Sequence, residues 1–199
     1  MNNEKPQILI INGSPRKQKN CYNIAKEISK VLDNNNISNK IFNLYEMNIN
    51  YCTACGFCEK KGYCKFEDDM TPMYDMFDSA DGNVIISPIH FNSISAKLKT
   101  LVDRTQAIYA SKYILKKSCI DRDKKRVGMY ISVAGSKSYP NQFEGGDMIM
   151  DLFFKSINTN LKYNVRLNNT DDISVLEQSN FQVNLNENLN QYIKEVNEI

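Results

Sequence analysis

The sequence predicts an α/β protein built on a doubly wound, five-stranded parallel sheet. Five short apolar segments have the length of buried strands, and segments with apolar residues at helical spacing alternate with them. Two parallel strands need a crossover of about a dozen residues between them, and these helical segments supply it. A chain of 199 residues, 42% of them hydrophobic, is long enough for a single domain over residues 1–199 with a self-sufficient core.

The first strand and helix are the clearest elements. Residues 7–12 (QILIIN) are apolar and end in the turn Gly13-Ser14-Pro15, after which Ile24, Ile28, Val31 and Leu32 recur at helical spacing. Residues 37–44 predict the second strand. The segment that follows, about residues 45–67, is irregular and rich in cysteine, and a loop of that length in a compact domain usually has a function.

The rest of the chain continues the alternation. Asp68, Asp69 and Pro72 are typical of a helix start, because acidic residues favour the positive end of a helix and proline fits its first turn. Further strands are predicted over residues 82–87, 126–133 and 161–167, and further helices over residues 94–110, 147–157 and, more weakly, 186–199.

Charge and hydropathy exclude several classes of protein. A net charge of +2 and a pI near 8.1 are too mild to predict nucleic-acid binding. The basic run at residues 122–126 includes an aspartate and reads as a solvated turn. No apolar stretch approaches the ~20 residues of a membrane span, and the amino terminus has no signal-peptide pattern. We therefore expect a cytoplasmic protein without a membrane partner.

Four of the six cysteines fall in one short run with the spacing C-x2-C-x2-C-x5-C: Cys52, Cys55, Cys58 and Cys64. In a reducing compartment, clustered thiols indicate metal or redox chemistry more than disulfides. The spacing favours an iron–sulfur cluster, which accepts three thiolates from one tight turn and a fourth from a short excursion. Structural zinc normally uses two pairs separated by a longer spacer, so zinc is a weaker alternative, as are vestigial or redox-active thiols.

Ligands of doubly wound sheets bind beyond the carboxyl ends of the strands, which singles out three loops: residues 13–21, 88–93 and 134–141. The first carries hydroxyl, cationic and amide groups into a helix amino terminus, where free N–H groups and the helix dipole attract a phosphate. It lacks the motifs of nucleotide triphosphatases and of dinucleotide folds, so a monophosphate is the better hypothesis. The alternative is an ordinary strand-to-helix turn with Asn20 as its N-cap.

The second and third loops suit the edge and face of a planar ring. Pro88 fixes the turn, His90 and Phe91 offer flat faces, and Asn92 and Ser93 offer hydrogen bonds, as an isoalloxazine ring requires. His90 is the only histidine and is a weak candidate for a proton donor. In the third loop, Gly135 has no side chain to obstruct a ring.

Taken together, these motifs resemble the iron–sulfur flavoproteins of anaerobic prokaryotes, relatives of the NAD(P)H-dependent FMN reductases. The resemblance runs from about residue 7 to residue 165. Its motifs are Gly13-Ser-Pro-Arg-Lys17 with Asn20-Cys21, the four cysteines followed by Asp68-Asp69-Met70, Ser87-Pro88-Ile89 with Leu98-Lys99 and Asp103-Arg104, and Val133-Ala-Gly-Ser136. The chain differs at His90, where relatives often have tyrosine.

The resemblance implies a flavodoxin-like fold, FMN as cofactor and a [4Fe–4S] cluster on Cys52, Cys55, Cys58 and Cys64. It also implies a homodimer or homotetramer in which one subunit's cluster approaches its neighbour's flavin. The implied FMN contacts are Ser14, Arg16, Lys17, Asn20 and Cys21 in the phosphate loop, Pro88, Ile89, His90, Phe91, Asn92 and Ser93 along the ring, and Ala134 and Gly135 on its other side.

The leading functional hypothesis is an FMN-dependent electron-transfer oxidoreductase that passes electrons between the cluster and FMN. Its expected partners are a ferredoxin-like donor or NAD(P)H and a small-molecule acceptor. One alternative is a cluster-free NAD(P)H-dependent FMN or quinone reductase. A second is a zinc-stabilised binding module without enzymatic activity, since fold alone does not fix function.

Overall fold

A computed structural model describes residues 6–199, apart from the side chains of residues 180–182. Its centre is a five-stranded, all-parallel sheet with the strand order β2-β1-β3-β4-β5, which confirms the predicted doubly wound class. The strands are β1 (Gln7–Asn12), β2 (Ser38–Asn43), β3 (Gly82–Pro88), β4 (Val127–Val133) and β5 (Asn160–Leu167).

Helices connect the strands and cover both faces of the sheet. They are α1 (Asn20–Asn34), α2 (Phe57–Lys61), α3 (Thr71–Ser79), α4 (Ala96–Arg104), α5 (Gln106–Tyr109), α6 (Glu144–Ser156) and α7 (Ser179–Asn197). A 3-10 turn (Leu44–Glu46) follows β2, and a π-helical turn (Ala110–Ile114) follows α5. No helix in the described part of the chain is long and apolar enough to cross a membrane.

The core has two halves because successive side chains of a strand point to opposite faces. Ile8 and Ile10 of β1 lie in the half that α1 and α7 cover. Leu9 and Ile11 lie in the other half, which α3, α4 and α6 cover. All four side chains are fully buried, so the continuous apolar run of β1 is that of a central parallel strand.

Several boundaries differ from those predicted. The helix expected over residues 94–110 is divided: Ser95 is the N-cap of α4, with its hydroxyl accepting from the Leu98 N–H, and α4 ends at Arg104. The final helix begins at Ser179, well before residue 186. Its Asn-rich sequence predicts a weak helix, but Leu185, Leu189 and Tyr192 bury against the sheet, and packing of this kind supplies most helix stability.

Three loops converge where the strand order reverses between β1 and β3. The Gly13 N–H donates to the Ile86 carbonyl of β3 (2.8 Å), and the Ser95 hydroxyl donates to the Gly13 carbonyl (2.6 Å). On the other side, the Ile89 N–H donates to the Val133 carbonyl of β4 (2.8 Å). These bonds hold the three strand-end loops side by side, as expected at a topological switch point.

Candidate functional site

A cavity of about 300 Å³ opens at this switch point. All three of the predicted loops contribute to its lining, together with a fourth segment at residues 170–171. Of the predicted contacts, the cavity is lined by Ser14, Arg16, Asn20, Cys21, Pro88, Ile89, His90, Phe91, Ala134 and Gly135. The structure thus brings together residues that are far apart in the sequence.

The first loop presents polar groups at the start of α1. Ser14 is buried, its N–H donates to the Asn12 side chain (3.0 Å), and its hydroxyl accepts from the Arg16 N–H (3.2 Å). The Arg16 side chain is exposed, and its guanidinium lies 3.8 Å from the Asp171 carboxylate. Arg16 is therefore free to reach an anion in the cavity at little cost, because an exposed ion pair is weak.

Asn20 has a different role from that of an N-cap. Lys19 occupies the N-cap position, and Asn20 is the first residue of α1. Its side-chain amide donates to the Thr170 carbonyl (3.2 Å) and accepts from the Val175 N–H (3.4 Å). Asn20 thus ties the first loop to the segment that follows β5.

The second loop ends in a tight turn at residues 90–93. His90 and Ser93 exchange two backbone hydrogen bonds (2.9 and 3.0 Å), and the two central residues, Phe91 and Asn92, have positive φ angles of 49° and 59°. Such a turn is unusual without glycine, and strained backbone of this kind clusters at binding sites. It leaves the Phe91 side chain fully exposed at the cavity, while the Tyr139 hydroxyl donates to the Asn92 side chain.

Residues 134–135 and 170–171 form the remaining wall. The Thr170 hydroxyl donates to the Ala134 carbonyl (3.0 Å), and the Asp171 N–H donates to the Gly135 carbonyl (3.0 Å). A Cβ atom on Gly135 would lie 2.1 Å from the Asp171 carboxylate. The glycine therefore makes room for Asp171 as well as for a ligand, a role that its sequence context did not reveal.

Three predicted contacts do not line the cavity. Lys17 points elsewhere and pairs with Glu46 (3.4 Å), whereas Asn92 and Ser93 shape the turn behind Phe91. Cys21 lines the cavity but is buried, and burial raises the pKa of its thiol to about 12. A neutral thiol can neither attack nor bind a metal as a thiolate, which leaves Cys21 a packing or hydrogen-bonding contact.

Sequence reasoning missed Gln142, a buried residue of the cavity lining. Its amide nitrogen donates to the Ser136 hydroxyl (2.9 Å), while its oxygen is buried and has no hydrogen-bond partner among residues 6–199. An unpaired buried acceptor is costly, so this oxygen is suited to a donor on a bound ligand. The only sequence signal was its position in the loop after β4.

Gly145 packs closely against the turn at residues 90–93. A Cβ atom on residue 145 would lie 2.5 Å from the Asn92 carbonyl oxygen. We expect Gly145→Ala to displace this turn and weaken ligand binding in the cavity by about 1–3 kcal/mol, the usual range for overpacking. Calorimetric titration with FMN is the measurement. The control is Gly56→Ala, in the cysteine segment. Equal FMN affinity in the wild type, Gly145→Ala and Gly56→Ala would contradict the prediction.

The four clustered cysteines border a second cavity of about 380 Å³. Asp103, Arg104, Gln106 and Ala107 also line it, so the cavity lies between the cysteine segment and the α4–α5 junction. Gly56 and Gly62, with φ angles of 70° and 80°, bound the short helix α2 at its two ends. Gly56 turns the chain between Cys55 and Cys58, and Gly62 turns it between Cys58 and Cys64, so that successive cysteines reach the same cavity.

The thiols differ in their surroundings. The Phe57 N–H is the main cause of a lowered pKa at the exposed Cys55 thiol. Burial raises the pKa of Cys58, and the nearby Cys52 and Cys64 add to the increase. Among the described residues, no three His, Cys, Asp or Glu side chains converge tightly enough to hold one metal ion. All four thiols border the cavity, and among the described residues no three of them meet at one point.

A buried ion pair joins the end of the cysteine segment to helix α4. Arg104, at the end of α4, makes two hydrogen bonds to the Asp68 carboxylate (2.7 and 3.2 Å), and both side chains are almost completely buried. Asp68 also accepts from the N–H groups of Asn50 and Met70 (2.9 and 3.0 Å). Burial opposes its ionisation, but these donors, Arg104 foremost, lower the Asp68 pKa to about 2.

Residues 6–140 match the model of a protein family described as NADPH-dependent FMN reductase. This match spans more than half of the chain and includes the first four strands, the cysteine segment, the first two cavity loops and all but the last residue of the third. The chain belongs to the NADPH-dependent FMN reductase family. The family match ends at residue 140, so Gln142, Thr170 and Asp171 lie outside it.

Proteins called iron-sulfur flavoproteins are similar to this chain in sequence. One from Archaeoglobus fulgidus is 32% identical over 130 residues, which is 65% of this chain and 63% of that protein. One from Methanosarcina thermophila is 30% identical over 128 residues, covering 64% of this chain and 63% of that protein. The chain thus matches less than two thirds of the length of either relative.

Solved structures agree with the fold of this chain. A NAD(P)H:quinone oxidoreductase from Methanothermobacter marburgensis superposes with a TM-score of 0.68 at 14% identity, covering 96% of this chain and 98% of that one. At that identity the likeness concerns the fold alone, and it agrees with the five-stranded, all-parallel, flavodoxin-like sheet.

Proposed function

We propose that this chain is an FMN-dependent electron-transfer oxidoreductase whose four clustered cysteines hold a [4Fe–4S] cluster. The observation that carries the proposal is the presence of two separate cavities. One lies at the switch point of the sheet, where doubly wound folds bind their ligands, and the other is bordered by all four cysteines. The family to which the chain belongs and the names of its relatives support both halves of the proposal.

The first loop is suited to the phosphate of FMN. Helix α1 begins directly after it, so its first N–H groups and the positive end of its dipole face the loop. Arg16 would hold the phosphate when FMN is bound, giving up only its weak, exposed contact with Asp171 (3.8 Å) for a charge-assisted hydrogen bond. Ser14 contributes its hydroxyl from a buried position.

The remaining walls are suited to the ring. Ile89 and Ala134 offer apolar and backbone surface on the two sides of the cavity, and Phe91 projects over its mouth. The unpaired oxygen of Gln142 offers an acceptor for a ring N–H. His90 is exposed at the rim, where it is able to contact a ring edge or a second substrate.

The cysteine cavity fits a cluster better than a single ion. Each iron of a cubane cluster takes its own thiolate, so the four ligands surround a volume, whereas zinc draws its ligands to one point. The four thiols of this chain border one cavity of about 380 Å³, which supports a cluster more than a single ion. When bound, the cluster supplies one-electron chemistry and FMN supplies one- or two-electron chemistry, while the protein supplies position and electrostatics.

Partners and assembly follow from the same proposal. NAD(P)H or a ferredoxin-like protein donates electrons, a small molecule accepts them, and the protein works as a homodimer or homotetramer. The exposed Phe91, Met148 and Leu152 provide apolar surface beside the flavin cavity and on α6 for such contacts. Stopped-flow reduction under anaerobic conditions, with each donor in turn, tests the donor assignment.

Replacing Arg16 by Ala should weaken FMN binding by about 1.5–3 kcal/mol, the value of a charge-assisted hydrogen bond. The matched control is Lys17→Ala, because Lys17 is the neighbouring cation but pairs with Glu46 outside the cavity. Fluorescence titration gives both dissociation constants. Equal losses of FMN affinity in the two variants would show that Arg16 does not contact FMN. Release of FAD instead of FMN from the denatured protein would contradict the cofactor assignment.

A cluster-free FMN or quinone reductase is the second candidate, favoured by the description of the family itself. The absorption spectrum of anaerobically purified protein separates the two. Flavin bands with a broad additional absorbance in the visible support the cluster. Flavin bands alone, after reconstitution with iron and sulfide, support the second candidate.

A further inference from the structure

One side chain joins both ends of the cysteine segment to the body of the protein. The Arg104 guanidinium donates to the Asn50 carbonyl (2.8 Å), just before Cys52, and to the Asp68 carboxylate (2.7 Å), shortly after Cys64. A longer contact reaches the Phe66 carbonyl (3.5 Å), and the Phe66 ring lies 5.3 Å from the guanidinium carbon. Arg104 itself is 1% exposed.

Arg104 belongs to the lining of the cavity of the four thiols, whereas Asp68 does not. The cationic member of the buried pair is therefore the one next to the cavity. Arg104 Nε is also buried and has no hydrogen-bond partner within the described part of the chain, so one donor of this guanidinium is not used to hold the loop. Because arginine stays charged at any relevant pH, its cation is a permanent feature of this wall.

These observations separate two effects of one residue. The contacts to Asn50 and Asp68 fix where the cysteine segment begins and ends, and hence how far apart Cys52 and Cys64 lie. The charge acts on whatever anionic group occupies the cavity, since charge and hydrogen bonding around a thiolate-bound cluster set its reduction potential. A lysine would keep the charge but lose the planar fork that spans both partners.

We propose that Arg104 is the positioning residue of the cysteine cavity, holding its two chain ends in place and raising the reduction potential of the group bound there. The first part concerns the protein alone, and the second rests on the proposed cluster. Both parts go beyond assigning the four cysteines as ligands, because Arg104 lies on a different element and touches none of the cysteines in the contacts described.

The test compares Arg104→Lys and Arg104→Met with the matched changes at Arg126. Arg126 is also a buried arginine paired with an aspartate, Asp78 (2.9 Å), but it lies before β4 and away from the cysteine cavity. Amide hydrogen exchange is measured first, on iron-free protein containing FMN. We expect exchange over residues 50–66 to accelerate at least about tenfold in both Arg104 variants and in neither Arg126 variant.

The second measurement is the midpoint potential of the reconstituted protein. We expect the potential of Arg104→Met to fall below that of the wild type and that of Arg104→Lys to lie closer to the wild type, a difference that a purely structural role would not produce. If Arg104→Met does not fold, Arg104→Lys and its exchange rates decide the positioning role.

Wild-type exchange over residues 50–66 in both Arg104 variants would overturn the positioning role. A potential that is unchanged in Arg104→Met would overturn the electrostatic role. A wild type that takes up no iron after reconstitution would instead refute the proposed function, while the exchange data from iron-free protein would still decide whether Arg104 positions the segment.

Discussion

Cys55→Ala should lose most of its iron and acid-labile sulfide while binding FMN as tightly as the wild type. Cys55 is an exposed member of the four-thiol cavity, so its removal deletes one cluster ligand without creating a hole in the core. The switch-point cavity, where we propose that FMN binds, shares no lining residue with the cysteine cavity, which is why FMN affinity should persist. Iron and sulfide per FMN, measured after anaerobic reconstitution, give the answer.

Cys119→Ala is the matched control for this experiment. Cys119 is also an exposed free thiol, but it accepts from the Ser111 hydroxyl and lies outside the four-thiol cavity. It should retain wild-type iron and sulfide. Equal iron in Cys55→Ala and the wild type, or zinc in the place of iron, would refute the cluster and leave the cluster-free reductase as the better proposal.

Asp68→Ala should produce the largest loss of stability among the changes considered, about 3–5 kcal/mol, because it leaves the buried Arg104 cation without its carboxylate. It also leaves the Asn50 and Met70 N–H groups without their acceptor. Urea unfolding of iron-free protein, followed by circular dichroism, measures the change in the free energy of unfolding.

Asp78→Ala is the corresponding control. Asp78 also pairs with a buried arginine, but its side chain is 40% exposed, and Arg126 keeps the carbonyls of Asp78, Asp121 and Lys124 as partners. We expect Asp78→Ala to lower the free energy of unfolding by less than Asp68→Ala does, with a difference of about 2 kcal/mol or more, because a partly exposed pair is screened by water. Similar losses of unfolding free energy in the two variants would show that burial of the Asp68–Arg104 pair does not add to stability as the structure indicates.

The parallel sheet and most of its helices follow from local pattern. The apolar runs of β1 and β3 are continuous because both faces are covered, and the turn at Gly13-Ser14-Pro15 marks the end of the first run unambiguously. The short helix α2 escaped prediction because only five residues form it, between two glycines whose left-handed conformation ends it on both sides. A helix that short has no detectable periodicity.

The parts of the site that were not predicted depend on contacts between distant segments. Thr170 and Asp171 join the cavity through hydrogen bonds to Ala134 and Gly135, and nothing in their own neighbourhood marks them as ligand contacts. The sequence marks Arg104 only as part of the resemblance, and Asp68 there and as part of a predicted helix start. Their pairing joins residues on α4 and on the segment before α3, and local sequence carries no information about such a contact.

The segment after β5 would link a ligand bound in the switch-point cavity to the stability of the fold. Asn20 binds the Thr170 carbonyl and the Val175 N–H, so the beginning of α1 and the connection into α7 form one wall of the same cavity. A ligand there would contact the beginning of α1 and the segment after β5 at the same time. At a concentration about one hundred times its dissociation constant, it adds roughly 2.7 kcal/mol to the free energy of unfolding by mass action. A fragment ending at residue 140 would keep residues 13–21 but lose Gln142, Thr170 and Asp171, so it would carry an incomplete cavity and lack this linkage.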